Sequence, residues 1–182
     1  DLTSLNEGQD RLAIVVEMVI AEDGAVLSST LFRALVRNHA KLAYNSVAAW
    51  LAGEAPETER VEAISGLDGQ LRLQDQVAQR LKARRHQQGA LSLETIEPRA
   101  VFEGEVLTGL KVEQKNRAKE LIEDFMIAAN QATASYLKGK GMPSFRRILR
   151  SPERWQRIVE VAARWGEHLP SEPDAGALES FL

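Results

Sequence analysis

The feature that most constrains this chain is a long amphipathic segment over residues 114–138, which predicts an α-helix. Gly139 and Gly141 follow it, and glycine commonly ends helices because it adopts left-handed backbone conformations. At about 100° per residue, nine of its side chains fall on one broad arc. We expect that arc to be core: Ala118, Leu121, Ile122, Phe125, Met126, Ala129, Thr133, Tyr136 and Leu137. A helix of this kind needs other elements to cover its apolar face.

A polar line runs beside that arc on the same predicted helix. Asn116, Glu123 and Asn130 stand seven residues apart, so each drifts only about 20° around the helix from the one before. Such a line could face a ligand channel, with Glu123 accepting hydrogen bonds from ribose hydroxyls. It could equally be the solvated flank of an amphipathic helix, and spacing alone leaves both interpretations open.

The other periodicities predict an α+β fold, with antiparallel strands and long packed helices on one side. Residues 11–38 alternate around Asp23-Gly24, which predicts a β-hairpin with a tight turn. A helix is expected to begin between His39 and Leu42, capped by Asn38, and residues 54–66 read as a loop. Further helices are predicted at residues 67–88, after Pro152 and after Asp174, and strands at residues 99–102, 107–112 and 145–149.

Tyr44 and two basic segments are the remaining candidates for binding. Tyr44 shares a helical stripe with Val47 and Leu51, which favours core packing, but its ring could instead stack on a base. The basic segments could track phosphates or be solvated faces paired with acids such as Glu153 and Glu160. They comprise Arg84, Arg85 and His86, and then Arg146, Arg147, Arg150, Arg154 and Arg157, of which Arg147 could point toward a cleft.

Composition narrows the function classes further. Among 182 residues, 23 are Lys or Arg and 26 are Asp or Glu, and the net charge of −3 excludes a strongly basic nucleic-acid module. There is no cysteine, and the three histidines are far apart in sequence, so no thiolate or histidine metal site is visible. No nucleophile–base pair, glycine-rich phosphate loop or compact carboxylate cluster can be recognised. The residues alone therefore indicate an α+β chain and no reaction.

Several strings resemble the ribonuclease II/ribonuclease R (RNB) exoribonuclease family, in the family's order and over nearly the whole chain. The most specific is NRAKELIEDFMIAAN at residues 116–130, which is similar to N-x-A-x-x-L-I-E-E-x-M-I-x-A-N. Residues 40–44 resemble A-K/R-L-x-Y, and residues 85–94 resemble R-x-x-x-G-A-L/I-x-x-E. Residues 1–11 resemble the segment that follows the family's acidic cluster. Phe145-Arg146-Arg147-Ile148, followed by Pro152, resembles the strand that usually reads Y/F-R-x-H-x-x-P, and the usual histidine is absent from it.

The resemblance implies a cytoplasmic enzyme that degrades single-stranded RNA processively from its 3′ end, using Mg²⁺ and releasing 5′-mononucleotides. Flanking OB-fold domains would guard a narrow channel. Glu123 matches the family's contact to the terminal nucleotide, Tyr44 matches a channel-facing tyrosine, and Leu93 falls where some members stack a phenylalanine on the terminal base. We expect these residues, with Asn116, Asn130 and Arg147, to bind substrate.

The same resemblance implies that this chain is part of a longer polypeptide. We expect the four aspartates that hold the metal to precede Asp1, and the catalytic arginine to follow Leu182. This chain would then be a partial RNB domain over residues 1–182 that supplies channel wall and 3′-end contacts and is inactive in isolation. Two alternatives remain: a non-catalytic module that binds RNA or a partner, and a helical scaffold without RNA contact.

Overall fold

Antiparallel hairpins and α-helices make up the fold, and the computed structural model describes residues 3–91, 98–112, 116–145 and 154–182. The α+β class predicted from sequence is confirmed. In chain order the elements are β1 (Asp10–Ile20), β2 (Val26–Arg37), α1 (Tyr44–Leu51), α2 (Glu59–Glu62), α3 (Leu67–Gln87), β3 (Pro98–Glu103), β4 (Val106–Val112), α4 (Arg117–Gly139), α5 (Trp155–Arg164) and α6 (Ala175–Phe181).

The predicted first hairpin is confirmed, and its tip rests on a helix. β1 and β2 pair antiparallel, with Asp10 opposite Arg37 at the open end. At the turn, Gly24 has a φ of +81°, and the Asp23 carboxylate accepts a hydrogen bond from the Ala25 N–H at 2.9 Å. A Cβ on Gly24 would lie only 2.4 Å from the carbonyl oxygen of Arg80, so the turn lies directly against the backbone of α3.

The start of α1 differs from the expectation. The helix begins at Tyr44 rather than between His39 and Leu42, and Asn38 does not cap it. The Asn38 side chain instead accepts a hydrogen bond from the Ala40 N–H at 3.1 Å, a local turn that competes with helix. The Lys41 N–H is held by the Glu7 carboxylate at 2.8 Å, a contact 34 residues away in sequence that no local pattern reveals.

Glu7 provides a stability test, because the Lys41 N–H and then Arg60 lower the pKa of its carboxyl. A lowered folded-state pKa stabilises the fold above the ordinary glutamate pKa of about 4.3, and the stabilisation disappears as pH falls through the folded value. We expect Glu7→Gln to lower the melting temperature at neutral pH but not in acid. Glu22→Gln, a change at an exposed turn residue, is the control. If Glu7→Gln lowered the melting temperature equally at neutral and acid pH, the stabilising role of the Glu7 carboxylate would be contradicted.

The helical core lies where α1, α2, α3 and α4 meet. Its buried members are Val47, Ala48, Trp50, Val61, Leu71 and Ala118. The guanidinium of Arg72 lies 4.4 Å from the centre of the Trp50 ring, a cation–π contact at the edge of this core. Along α4 the buried positions are mostly small, which lets α3 approach closely: Ala118, Leu121, Asp124, Ala128 and Ala132.

Two buried carboxylates join α3 to α4. Asp75 on α3 is 4% exposed and receives two hydrogen bonds from the Arg117 guanidinium, one of them 2.7 Å long. Asp124 on α4 is also 4% exposed, and Arg85 of α3 donates to it at 2.7 Å. Burial raises the pKa of Asp124, while Arg85 acts in the opposite direction. No local pattern reveals either pair, because the partners are about 40 residues apart.

The later elements agree with the sequence except in the predicted loop. The two expected strands, β3 and β4, pair as a hairpin around Gly104, and Asp174 caps α6 by accepting from the Ala177 N–H at 2.6 Å. The predicted loop at 54–66 contains the short helix α2. Pro152 and nearly all of the predicted strand at 145–149 lie outside the described residues. Within the described part of the chain, no helix is both long and apolar enough to span a bilayer.

Candidate nucleic-acid interface

An open groove of about 470 Å³ runs along α4 where the first residue of α1 meets it. Its lining is Tyr44, Lys119, Ile122, Glu123, Met126, Ile127 and Asn130. Six of these seven residues come from α4, at spacings of three and four, so they form one stripe on the helix surface. The groove thus presents a carboxylate, an amide, an ammonium group and a phenol around an apolar floor.

α4 positions the groove because it has two opposed faces. Its small buried residues, such as Ala128, pack toward α3, and the groove stripe lies about half a turn away around the helix. The expected single broad core arc is therefore wrong at Ile122, Met126 and Tyr136, which are 42%, 59% and 42% exposed. The physical reason is that small residues and Asp124 fill the contact with α3, and the larger apolar side chains are left on the other faces.

Tyr44, Glu123 and Asn130 meet in this groove, and their contact with RNA stays a prediction. Tyr44 is 48% exposed at the start of α1, whereas Val47, one turn later, is buried in the core. Glu123 and Asn130 are exposed and lie about two turns apart along the same wall. Tyr44 is therefore not a core residue, and stacking of its ring on a base stays a prediction.

Asn116 lies elsewhere, at the N-terminus of α4. Its side-chain oxygen accepts from the Lys119 N–H at 2.9 Å, which makes it the helix cap. Its amide nitrogen donates to the Asn45 side chain at 3.0 Å and so ties the start of α4 to the start of α1. Asn116 thus helps fix the two helices whose side chains form the groove, and its contact with substrate stays a prediction. Leu93 and Arg147 lie outside the described residues.

The first basic segment is engaged by protein carboxylates. Arg84 pairs with Asp23 at 2.6 Å, Arg85 with Asp124 at 2.7 Å, and His86 with Glu179 at 2.8 Å. These contacts connect the end of α3 to the hairpin tip, to α4 and to α6. A second cavity of about 260 Å³ lies here, lined in part by Arg84 and Arg85. Because both guanidinium groups already contact acids, the segment serves the packing of the fold.

The second basic segment is only partly described. Arg154 and Arg157 are exposed, and Arg146 and Arg150 fall with Arg147 outside the described residues. Within the described residues, neither Arg154 nor Arg157 forms an ion pair with Glu160.

The polar side chains of the groove can accept hydrogen bonds, and its apolar side chains can pack against a flat group. The described residues do not form a metal-binding site. Among them, no group of three or more His, Cys, Asp or Glu side chains is placed to hold a metal ion. Sequence reasoning missed Lys119, Ile122, Met126 and Ile127 as groove residues. These four residues lie on the same helical stripe as Glu123 and Asn130. Opposite that stripe, α4 carries a second apolar stripe of small residues, so the sequence already showed that one partner helix could cover only one of the two.

Comparison with known proteins agrees with this architecture. The RNB domain model matches residues 1–176. Ribonuclease R of Vibrio parahaemolyticus is 36% identical over 83% of this chain, and exoribonuclease 2 of Cronobacter sakazakii is 36% identical over 77%. Mycoplasma genitalium RNase R, solved with ribose-methylated single-stranded RNA, superposes with a TM-score of 0.86 at 20% identity, over 99% of this chain and 28% of that one.

The matches cover only part of the relatives. The chain spans 18% of the Vibrio protein and 22% of the Cronobacter protein. The structural likeness at 20% identity shows the shared fold, and the family model covers nearly the whole chain. The chain therefore belongs to the RNB domain family.

Proposed function

We propose that this chain is the substrate-channel wall of a 3′→5′ exoribonuclease that hydrolyses single-stranded RNA processively to 5′-mononucleotides. The observation that carries the proposal is the groove on α4, where Glu123, Asn130 and Tyr44 converge. Family membership supports the reaction class, and the relatives that match are named as ribonucleases. In this proposal the chain is a partial RNB domain that contacts the 3′ end of the RNA.

Glu123 is proposed to recognise the sugar. An ionised carboxylate only accepts hydrogen bonds, and a ribose with its 2′-OH and 3′-OH offers two neighbouring donors. Deoxyribose lacks the 2′-OH, so this contact would distinguish RNA from DNA. Asn130, further along the same wall, can both donate and accept, and Tyr44 offers a ring face for a base.

The bond-breaking groups are assigned to other parts of the parent polypeptide. We propose Mg²⁺ as the cofactor, with its carboxylate ligands outside residues 1–182, and flanking OB-fold domains as further RNA-binding partners in the same polypeptide. Among the described residues, no group of three or more His, Cys, Asp or Glu side chains is placed to hold a metal ion. No step of metal chemistry is assigned to this chain.

Glu123→Gln provides the direct test of sugar recognition. Hydrogen bonds to charged groups are worth about 1.5–3 kcal/mol, so the substitution should weaken binding of a single-stranded oligoribonucleotide about tenfold or more. Binding of the matching oligodeoxyribonucleotide, which keeps the 3′-OH but lacks the 2′-OH, should weaken less. Fluorescence anisotropy with labelled oligonucleotides measures both affinities, and the melting temperature should stay the same because the side chain is exposed.

Glu160→Gln is the matched control, since it makes the same charge change at an exposed residue of α5 outside the groove. If the two variants lose RNA affinity equally, bulk charge rather than sugar recognition explains the effect. Equal affinity of wild type and Glu123→Gln for RNA would contradict the proposed role of Glu123.

Digestion by the longer parent polypeptide separates an enzyme from a binding module. With 3′-labelled single-stranded RNA and Mg²⁺, an exoribonuclease of this class should release labelled mononucleotide from the first turnover onward. Omitting Mg²⁺ should stop the release. Tight RNA binding without release of mononucleotides would favour the non-catalytic RNA-binding module. If the polypeptide did not bind RNA at all, the helical scaffold without RNA contact would be the remaining alternative.

A further inference from the structure

Three large apolar side chains are exposed in the groove instead of being packed in the core. Met126 is 59% exposed, Tyr44 is 48% exposed and Ile122 is 42% exposed. Single exposed apolar residues are common on protein surfaces, but these three line one concavity. A concave apolar surface with a few polar groups at its rim is typical of a ligand site.

The polar groups of the groove restrict what the ligand can be. Lys119 lies one helical turn before Glu123 on the same wall, and Asn130 lies about two turns after Glu123. An ammonium group suits a phosphate, and a carboxylate suits sugar hydroxyls. Apolar side chains between them suit a flat heterocycle. A nucleotide presents these three kinds of group within a single residue.

We propose that Met126, supported by Ile122, forms the surface on which a nucleobase of the bound strand packs. The inference rests on the proposed function and extends it, because it assigns base contact to residues that the sequence analysis placed in the core. Met126 follows Ile122 by four residues, so their side chains are neighbours on one face of α4. The methionine side chain is flexible and its sulfur is polarisable, and both properties favour contact with aromatic rings of different shapes.

This surface reads the face of a base and not its edge. Every base has a π-face, so stacking contributes affinity with little sequence preference. We therefore expect the groove to bind all four bases and to prefer the larger purines moderately. Sugar recognition by Glu123 and base packing on Met126 are then separate contributions that can be removed separately.

The methionines of the chain offer a direct measurement. The sequence has three, Met18, Met126 and Met142, and ¹³C labelling of their methyl groups gives three signals to follow. On titration with a short oligoadenylate, we expect the Met126 methyl to shift upfield, as it would over the face of a base. Met142 is 54% exposed and is not a groove residue, so its signal should stay in place.

An abasic oligoribonucleotide of the same length is the chemical control. It keeps the sugars and phosphates, so it should bind more weakly and leave the Met126 signal nearly unshifted. Met126→Ala should weaken oligoadenylate binding about fivefold to tenfold, the scale expected for loss of one base contact, and should change abasic binding much less. Met142→Ala should change neither affinity.

The outcomes separate this inference from the function on which it rests. If neither oligonucleotide binds the chain saturably, the proposed RNA interface itself is overturned. If RNA binds in a manner that depends on Glu123 while the Met126 signal does not move, the interface stands and the base-packing surface is wrong. An equal Met126 shift with the abasic strand would also overturn it, since the shift would then not report a base.

Discussion

Arg85→Met is expected to lower the free energy of unfolding by about 3 kcal/mol at neutral pH, because it leaves the Asp124 carboxylate buried without its cation. Asp124 is 4% exposed, and its contact with Arg85 is 2.7 Å long. Arg84→Met removes the neighbouring arginine, whose pair with Asp23 is largely exposed. That control should cost less than about 1 kcal/mol, as is usual for surface ion pairs. Urea denaturation measures both losses.

The loss of unfolding free energy in Arg85→Met should depend on pH. Burial already raises the pKa of Asp124 above its ordinary value, and removal of the opposing Arg85 charge should raise it further. A raised folded-state pKa means that the folded protein holds its proton more tightly than the unfolded chain does. Stability is therefore lost as pH rises through the window between the unfolded and folded values, and the loss should shrink in acid.

The double variant Arg85→Met/Asp124→Leu tests the cause. Replacing both partners by apolar side chains removes the buried charge, and such replacements are often nearly neutral. Much of the stability lost in Arg85→Met should therefore return, and the pH dependence should disappear. A double variant as unstable as Arg85→Met, with the same pH dependence, would show that lost packing and not the stranded carboxylate is responsible.

Gly24→Ala is the second substitution with a large expected effect: it should lower the free energy of unfolding by about 2–5 kcal/mol. A left-handed backbone costs a non-glycine residue about 1–2 kcal/mol, and Gly24 has a φ of +81°. The new Cβ would also lie 2.4 Å from the carbonyl oxygen of Arg80, so the hairpin tip must move away from α3. Such overpacking adds about 1–3 kcal/mol.

Gly53→Ala isolates the conformational part of that loss. Gly53 has a φ of +77°, close to that of Gly24, but nothing lies within 4 Å of an added Cβ. Its cost should be about 1–2 kcal/mol in the same denaturation experiment. If both alanine variants lost equal stability, the contact between the hairpin tip and α3 would not be a determinant of the fold.

Local patterns predicted the elements well where a single signal dominated. The hairpin follows from alternation around Asp23-Gly24, α3 follows from its apolar stripe, and the start of α6 follows from a capping Asp174. Local patterns failed at the start of α1, where Glu7 holds the Lys41 N–H. A hydrogen bond across 34 residues competes with the helix, and no window of neighbouring residues contains it.

The groove contains some of the residues that the sequence predicts to bind substrate, and that binding stays a prediction. Glu123 and Asn130 of the predicted polar line both line the groove, and Tyr44, which the family resemblance named, lies beside them. Periodicity placed Met126 and Ile122 in the core, because hydrophobicity alone cannot say which of two apolar stripes another helix will cover. Asn116, also on the predicted line, is the cap of α4.

The amino-acid order by itself determined most of the secondary structure and the family, because alternation, helical spacing and a long specific motif are local properties of the chain. Only the tertiary structure decided which faces are buried. α3 covers the small residues of α4 and pairs Arg85 with Asp124, so the opposite stripe remains open as a groove beside Tyr44. Burial is settled by packing between distant segments, and hydrophobic free energy depends on the surface that this packing removes from water.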